Sequence, residues 1–96
     1  MPRHPAIERD LALVVGESTE WGTIASAVRA AAGELLASVR PFDIFRGAQV
    51  GAGRKSIALR MELRAADRTL TNAEADACVT RVVAELTRAT GGALRS

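Results

Sequence analysis

The run Asp67-Arg68-Thr69-Leu70-Thr71-Asn72-Ala73-Glu74 joins a strand pattern to a helix pattern and decides how this chain folds. Glu74 follows Thr71 by three residues, which is the spacing of a capping box. In such a box the threonine side chain accepts a hydrogen bond from the backbone amide of Glu74. The Glu74 carboxylate in turn accepts one from the amide of Thr71. The run therefore predicts a turn that opens a helix at about residue 72.

Apolar residues alternate before this run and recur at helical spacing after it. Between Ser56 and Arg64 every second side chain is large and apolar, which is typical of a strand covered on one face only. These residues are Ile57, Leu59, Met61 and Leu63. After the run the spacing changes to that of an amphipathic helix, carried by Ala75, Val79, Val82, Val83 and Leu86. Gly91-Gly92 then predicts the end of that helix.

The first half of the chain carries a similar succession of patterns. A short apolar run ends at Gly16, helical spacing follows up to Gly33, and a second strand bends near Pro41. A glycine-rich hairpin loop occupies 47–53. The predicted strands are 9–16, 35–46, 55–65 and about 93–95, and the predicted helices are 20–32 and 72–90.

The order β-α-β-β-α-β predicts an α+β, ferredoxin-like fold. Both helices need an apolar surface to cover, so they are expected on one face of a four-stranded antiparallel sheet, with the other face open. The 96 residues suffice for a single domain, 1–96.

Composition excludes several classes of protein. Apolar residues make up 48% and charged residues 25%, which is ordinary for a globular domain. The net charge of +2 permits contact with a polyanion without predicting it. The single cysteine, Cys78, lies in a helical pattern and is expected to be a buried thiol, which fits a reducing cytoplasm. No apolar run is long enough to cross a membrane, and no signal peptide is visible.

Residues for catalysis are not apparent. His4 has no nucleophile or carboxylate that the sequence places beside it, so it is expected to be a plain surface residue. The loop Gly51-Ala52-Gly53-Arg54-Lys55-Ser56 departs from a phosphate-binding loop, because Arg54 stands where glycine must precede the lysine and a strand follows instead of a helix. No metal ligands are spaced for a site, and the expected catalytic set is empty.

The open sheet face is the better place for a binding site. If Phe42 and Ile44 point into the core, the alternation of side chains along a strand puts Asp43 and Phe45 on the open face. The alternative register, shifted at Pro41, would bury Phe45 and expose Phe42 instead. An exposed ring can stack on an unpaired base, and a neighbouring carboxylate can accept hydrogen bonds from guanine.

Further polar residues surround this pair. Ser56 begins the next strand on the same type of face and can donate or accept a hydrogen bond. Arg46, Arg54 and Lys55 stand at the base of the hairpin loop, where they can meet phosphates. The sequence Lys55-Ser56-Ile57-Ala58-Leu59 lacks the aromatic signature of an RNA-recognition motif, so that family is not supported despite the same topology.

Three strings, in order along the chain, resemble the ferredoxin-fold anticodon-binding domain of the bacterial phenylalanyl-tRNA synthetase beta subunit. They are Pro5 to Val15 with its "PA..RDLA..V" pattern, Phe42 to Gly47 followed by Gly53 to Ser56, and Asp67 to Glu74. The resemblance covers essentially the whole chain. It implies a C-terminal piece of a longer subunit that binds the anticodon stem-loop of phenylalanine tRNA.

The resemblance also implies residue roles. Asp43 and Ser56 match the residues that contact the first anticodon base, a guanine, and Phe45 matches the aromatic residue that stacks on it. The family usually has tyrosine at Phe45 and phenylalanine at His4, so a hydroxyl and an apolar terminal contact are absent. The implied parent enzyme is an (αβ)₂ ligase that uses ATP and magnesium. Its chemistry is implied to lie in the alpha subunit.

Two other classes share the topology. An ACT-like module would sense a small ligand at a dimer interface through a glycine-bearing loop after the first strand, for which Gly16 alone is insufficient. An acylphosphatase would need an arginine in a phosphate cradle there, where this chain has the acidic sequence Gly16-Glu17-Ser18.

Overall fold

The predicted β-α-β-β-α-β order is confirmed in a computed structural model, which describes residues 5–95. His4 lies outside the described residues. The elements are β1 (Ile7–Gly16), α1 (Trp21–Ala32) followed by a short 3₁₀ turn (Gly33–Leu35), β2 (Leu36–Phe45), β3 (Arg54–Leu63), α2 (Asn72–Thr90) and β4 (Ala93–Leu94).

The strands form one antiparallel sheet in the order β2-β3-β1-β4. β1 pairs with β3 along its whole length, from Ile7 opposite Leu63 to Gly16 opposite Arg54. β4 adds to the other side of β1, with Ala93 opposite Val14. β2 and β4 are therefore the two edges of the sheet, and β1 and β3 are its central strands.

Apolar side chains of the two central strands form the core on one face. Leu13, Leu59 and Met61 are fully buried and pack in one cluster with Val28 of α1 and Val82 of α2. The alternation that predicted cover on one side of β3 is thus confirmed. Both helices lie on that side of the sheet. Cys78 belongs to the same cluster, and burial raises the pKa of its thiol, as expected for a structural cysteine.

The predicted capping box opens α2. The backbone N–H of Glu74 donates to Thr71 Oγ1 at 3.1 Å, and the backbone N–H of Thr71 donates to Glu74 Oε1 at 3.2 Å. Arg68 donates to the other oxygen of the Glu74 carboxylate. This ion pair, together with the hydrogen bond from Thr71, lowers the pKa of Glu74. Gly91 ends the helix in the left-handed conformation, at φ 69°.

Substitutions at the start of α2 and in its buried face distinguish the stability that the helix cap contributes from the stability that core packing contributes. Thr71→Ala should lower the free energy of unfolding by about 1 kcal/mol through loss of the cap, whereas Thr71→Ser, which keeps the hydroxyl, should cost much less. Val82→Ala should cost about 2 kcal/mol, because its side chain is fully buried and its truncation leaves a cavity. Urea unfolding measures all three. Equal, near-zero effects for the two alanine variants would contradict the placement of α2.

The edge strand β2 departs from the simple period-two prediction. Pro41 pairs with Leu59 and Asp43 pairs with Ala58, so Phe42 is an extra residue in a β-bulge. The prediction that Phe42 points into the core is wrong, since Phe42 is 51% exposed. Ile44 does lie opposite Ile57, whose side chain faces the helices. It nevertheless stays 48% exposed, because this end of the edge strand extends past the packed core.

Candidate nucleic-acid interface

The sheet face opposite the helices is built from the even-numbered residues of β1 and β3. Cross-strand partners point to the same face, and they meet there in successive rows: Val14 with Ser56, Ala12 with Ala58, and Asp10 with Arg60. The alanine row is small, so it leaves a shallow floor between larger neighbours. The face presents both charged and apolar groups to an incoming ligand.

The bulge in β2 brings Asp43 and Phe45 onto this face. Asp43 lies opposite Ala58, and Phe45 lies opposite Ser56. Phe45 is 39% exposed, and Asp43 is exposed as well. Asp43 makes no hydrogen bond or ion pair with any other residue of the described range 5–95. The three residues predicted to read and stack on a base are therefore together, and the carboxylate is free among these residues to accept new hydrogen bonds.

Arg95 is a further member of this face that sequence reasoning missed. Its backbone N–H donates to the carbonyl oxygen of Ala12 at 2.6 Å. Its guanidinium carbon lies 5.1 Å from the centroid of the Phe45 ring, a cation–π contact. Because β4 and β2 are opposite edges, the Arg95 side chain crosses the row that contains Ser56, which is only 3% exposed. The alternation of side chains along an extended strand was the available signal. Ala93 lies on the open face opposite Val14, and Arg95, two residues further on, shares that face.

The basic residues of the hairpin differ in how accessible they are. Arg46 is held by Glu17, with Nε donating to the two carboxylate oxygens at 2.8 and 3.0 Å. This pairing lowers the pKa of Glu17 and raises that of Arg46. Lys55 pairs with the buried Val15, so its side chain starts on the helix side of the sheet. Arg54 is exposed at the start of β3, opposite Gly16.

Neither a metal-binding cluster nor a membrane-spanning helix is found in the described part of the chain. No group of three or more histidine, cysteine, aspartate or glutamate side chains there is arranged to hold a metal ion. Between residues 5 and 95, no helix is long and apolar enough to cross a membrane. The open sheet face is the surface where an exposed ring, an acceptor and cations come together.

A four-stranded sheet with both helices on one face and an aromatic, polar surface on the other defines a ferredoxin-like binding module. The family model of the ferredoxin-fold anticodon binding domain matches residues 2–95. The chain therefore belongs to the ferredoxin-fold anticodon-binding domain family, as its sequence strings indicated.

Curated relatives agree with this assignment. The chain is 44% identical over 96 residues to the phenylalanine–tRNA ligase beta subunit of Shouchella clausii, covering 100% of the chain and 12% of the relative. It is 43% identical over 95 residues to that of Moorella thermoacetica, covering 99% and 12%. It is 47% identical over 92 residues to the beta subunit of Thermobifida fusca, covering 96% of the chain and 11% of the relative. The chain thus spans roughly an eighth of the length of these relatives and matches one non-catalytic domain of them.

Proposed function

We propose that this chain binds the anticodon stem-loop of phenylalanine tRNA on its open sheet face. It would serve as the anticodon-recognition part of a phenylalanine–tRNA ligase beta subunit. The observation that carries the proposal is the position of Asp43. Its carboxylate is exposed, has no partner among residues 5–95, and lies on the same bare face as the Phe45 ring.

The chemistry of this face suits a guanine at the first anticodon position. Guanine presents N1–H and N2–H donors on one edge, and a carboxylate such as Asp43 can accept both. The Phe45 ring gives the base a stacking surface, a contact worth about 1–3 kcal/mol per base. Ser56 lies opposite Phe45 and is buried, and its hydroxyl would meet the same base once the Arg95 side chain moves aside.

Phosphate contacts would come from the cations around this face. Arg54 is exposed and is the direct candidate. Arg46 would bind a phosphate by releasing the Glu17 carboxylate. The guanidinium is exposed, so one anion can replace the other there. Lys55 lies near the end of the central strand β3 with its side chain starting on the helix side, so it would reach the RNA backbone around that end of the strand. Contacts of this kind position the RNA and carry no sequence information.

The rest of the enzyme would supply the chemistry. The full beta subunit would pair with an alpha subunit in an (αβ)₂ assembly, and ATP and magnesium would act in the alpha subunit. No residue of this chain is assigned a catalytic role. Its contribution would be to hold the correct tRNA so that phenylalanine is joined to it.

Titration of the isotope-labelled chain with the phenylalanine tRNA anticodon stem-loop, followed by NMR, tests the proposal. Amide signals of Asp43, Phe45 and Ser56 should shift, while those on the outer faces of α1 and α2 should not. The control is a stem-loop of the same length with an unrelated anticodon, which should bind more weakly. Shifts confined to the helices, or equal binding of both stem-loops, would contradict the proposal.

A further inference from the structure

Strand β2 presents a second aromatic ring on the open face, beside the bulge. Phe42 is the residue that the pairing skips, between the Pro41–Leu59 and Asp43–Ala58 pairs. Arg40 lies opposite Arg60 on the open face, so alternation along β2 puts Phe42 on that face as well, and the bulge keeps the following Asp43 beside it. Phe42 is 51% exposed there. Bulges commonly re-aim a side chain beside a functional site.

A fixed cation lies against this ring. The guanidinium carbon of Arg60 is 5.0 Å from the centroid of Phe42. Arg60 is itself held by Asp10, with Nε and Nη2 donating to the two carboxylate oxygens at 2.8 and 3.0 Å. The bidentate pair anchors the guanidinium to the central strands, and the guanidinium in turn orients the ring. Phe42 is therefore a preorganised aromatic surface, and ordering it costs little when a ligand binds.

We propose that Phe42 is a second stacking platform, which receives the base of a nucleotide next to the one stacked on Phe45. The proposal rests on the proposed function, because it adds a second nucleotide to the same bound RNA. Both rings lie on one face and flank Asp43 in sequence. Three residues of extended strand span roughly 10 Å, well beyond the roughly 3.4 Å between stacked bases. Each ring would therefore take a different, unstacked nucleotide.

The charges along β2 define where the RNA would end. Beyond Phe42, Arg40 is exposed and only loosely paired with Glu62, at 3.8 Å. The next row of the open face is Glu8 opposite Glu62, two carboxylates that would repel a phosphate. The bound strand would thus run from Arg54 past Phe45 and Phe42 and stop near Arg40.

Affinities of Phe42→Ala for a set of stem-loops test this inference. Against the intact phenylalanine stem-loop, loss of one stacked base should weaken binding roughly tenfold, within the roughly 5- to 150-fold that one stacking contact is worth. Against a stem-loop with an abasic site at the nucleotide on one side of the first anticodon position, the variant and the unmodified chain should bind alike. Phe45→Ala should show this equality only with an abasic site at the first anticodon position itself.

Ile44→Ala is the matched control, because Ile44 is as exposed as Phe42 but lies opposite Ile57, on the helix side. It should leave RNA affinity unchanged, and thermal unfolding should show all these variants folded. If Phe42→Ala weakens every stem-loop equally, or none, the second platform is overturned while the effect of Phe45→Ala still supports the proposed function. If the unmodified chain does not distinguish the phenylalanine stem-loop at all, the proposed function fails first.

Discussion

Phe45→Ala is expected to weaken binding of the phenylalanine anticodon stem-loop by about 1–3 kcal/mol, roughly 5- to 150-fold. The ring is 39% exposed on the open face and lies opposite Ser56, a position that suits the proposed stacking on a base. Alanine removes the stacking surface and also leaves the Arg95 guanidinium without its aromatic partner. Fluorescence anisotropy with a labelled stem-loop measures the change in affinity.

Phe45→Tyr is the matched control for this loss. It keeps the ring and adds a hydroxyl, the group that the family resemblance implies for this position, so affinity should be preserved or improved. Urea unfolding of both variants checks that the sheet is intact. If the tyrosine variant loses as much affinity as the alanine variant, stacking is not the role of this ring.

Gly92→Ala is expected to lower the free energy of unfolding by about 3 kcal/mol, the upper end of the range for an overpacking substitution. A Cβ atom at this position would lie 2.5 Å from the carbonyl oxygen of Val14 and 2.8 Å from Cγ1 of Val15. The first contact is with backbone of a central strand, which cannot move aside cheaply. β4 would be pushed away from β1, and Arg95 would leave Phe45.

Gly22→Ala makes the same chemical change but is expected to stabilise the chain. No atom lies within 4 Å of a Cβ built at Gly22, and the residue is in α1. The free energy of unfolding should rise by up to about 1 kcal/mol, because alanine is the better helix former. Urea unfolding compares the two variants directly. Equal effects would mean that β4 does not pack against β1 as described.

Elements set by local pattern could be predicted from the sequence. The alternation from Ser56 to Arg64 and the Thr71–Glu74 box each specify their structure through neighbours a few residues away. The positions of β3 and α2 were therefore predicted within about two residues. The resemblance of the whole chain added the family, and the family model bears it out.

Features set by contacts between distant residues could not be predicted. The bulge at Phe42 is visible only when β2 is registered against β3, because nothing near Pro41 specifies which residue is skipped. The Arg46–Glu17 pair joins residues 29 positions apart, so a cation expected at a phosphate is found on a carboxylate. The roles assigned to Asp43, Phe45 and Ser56 stay predictions, although the structure brings the three together.

The most direct test of the central claim is the preference for guanine at the first anticodon position. Affinities of the unmodified chain and of Asp43→Ala would be measured for two stem-loops that differ only in guanine or adenine at that position. Asp43→Ala should reduce affinity for the guanine stem-loop by about 1–3 kcal/mol, the discrimination expected of a bidentate base contact, and leave the adenine stem-loop nearly unchanged. An equal loss for both stem-loops would contradict the claim that Asp43 reads the base.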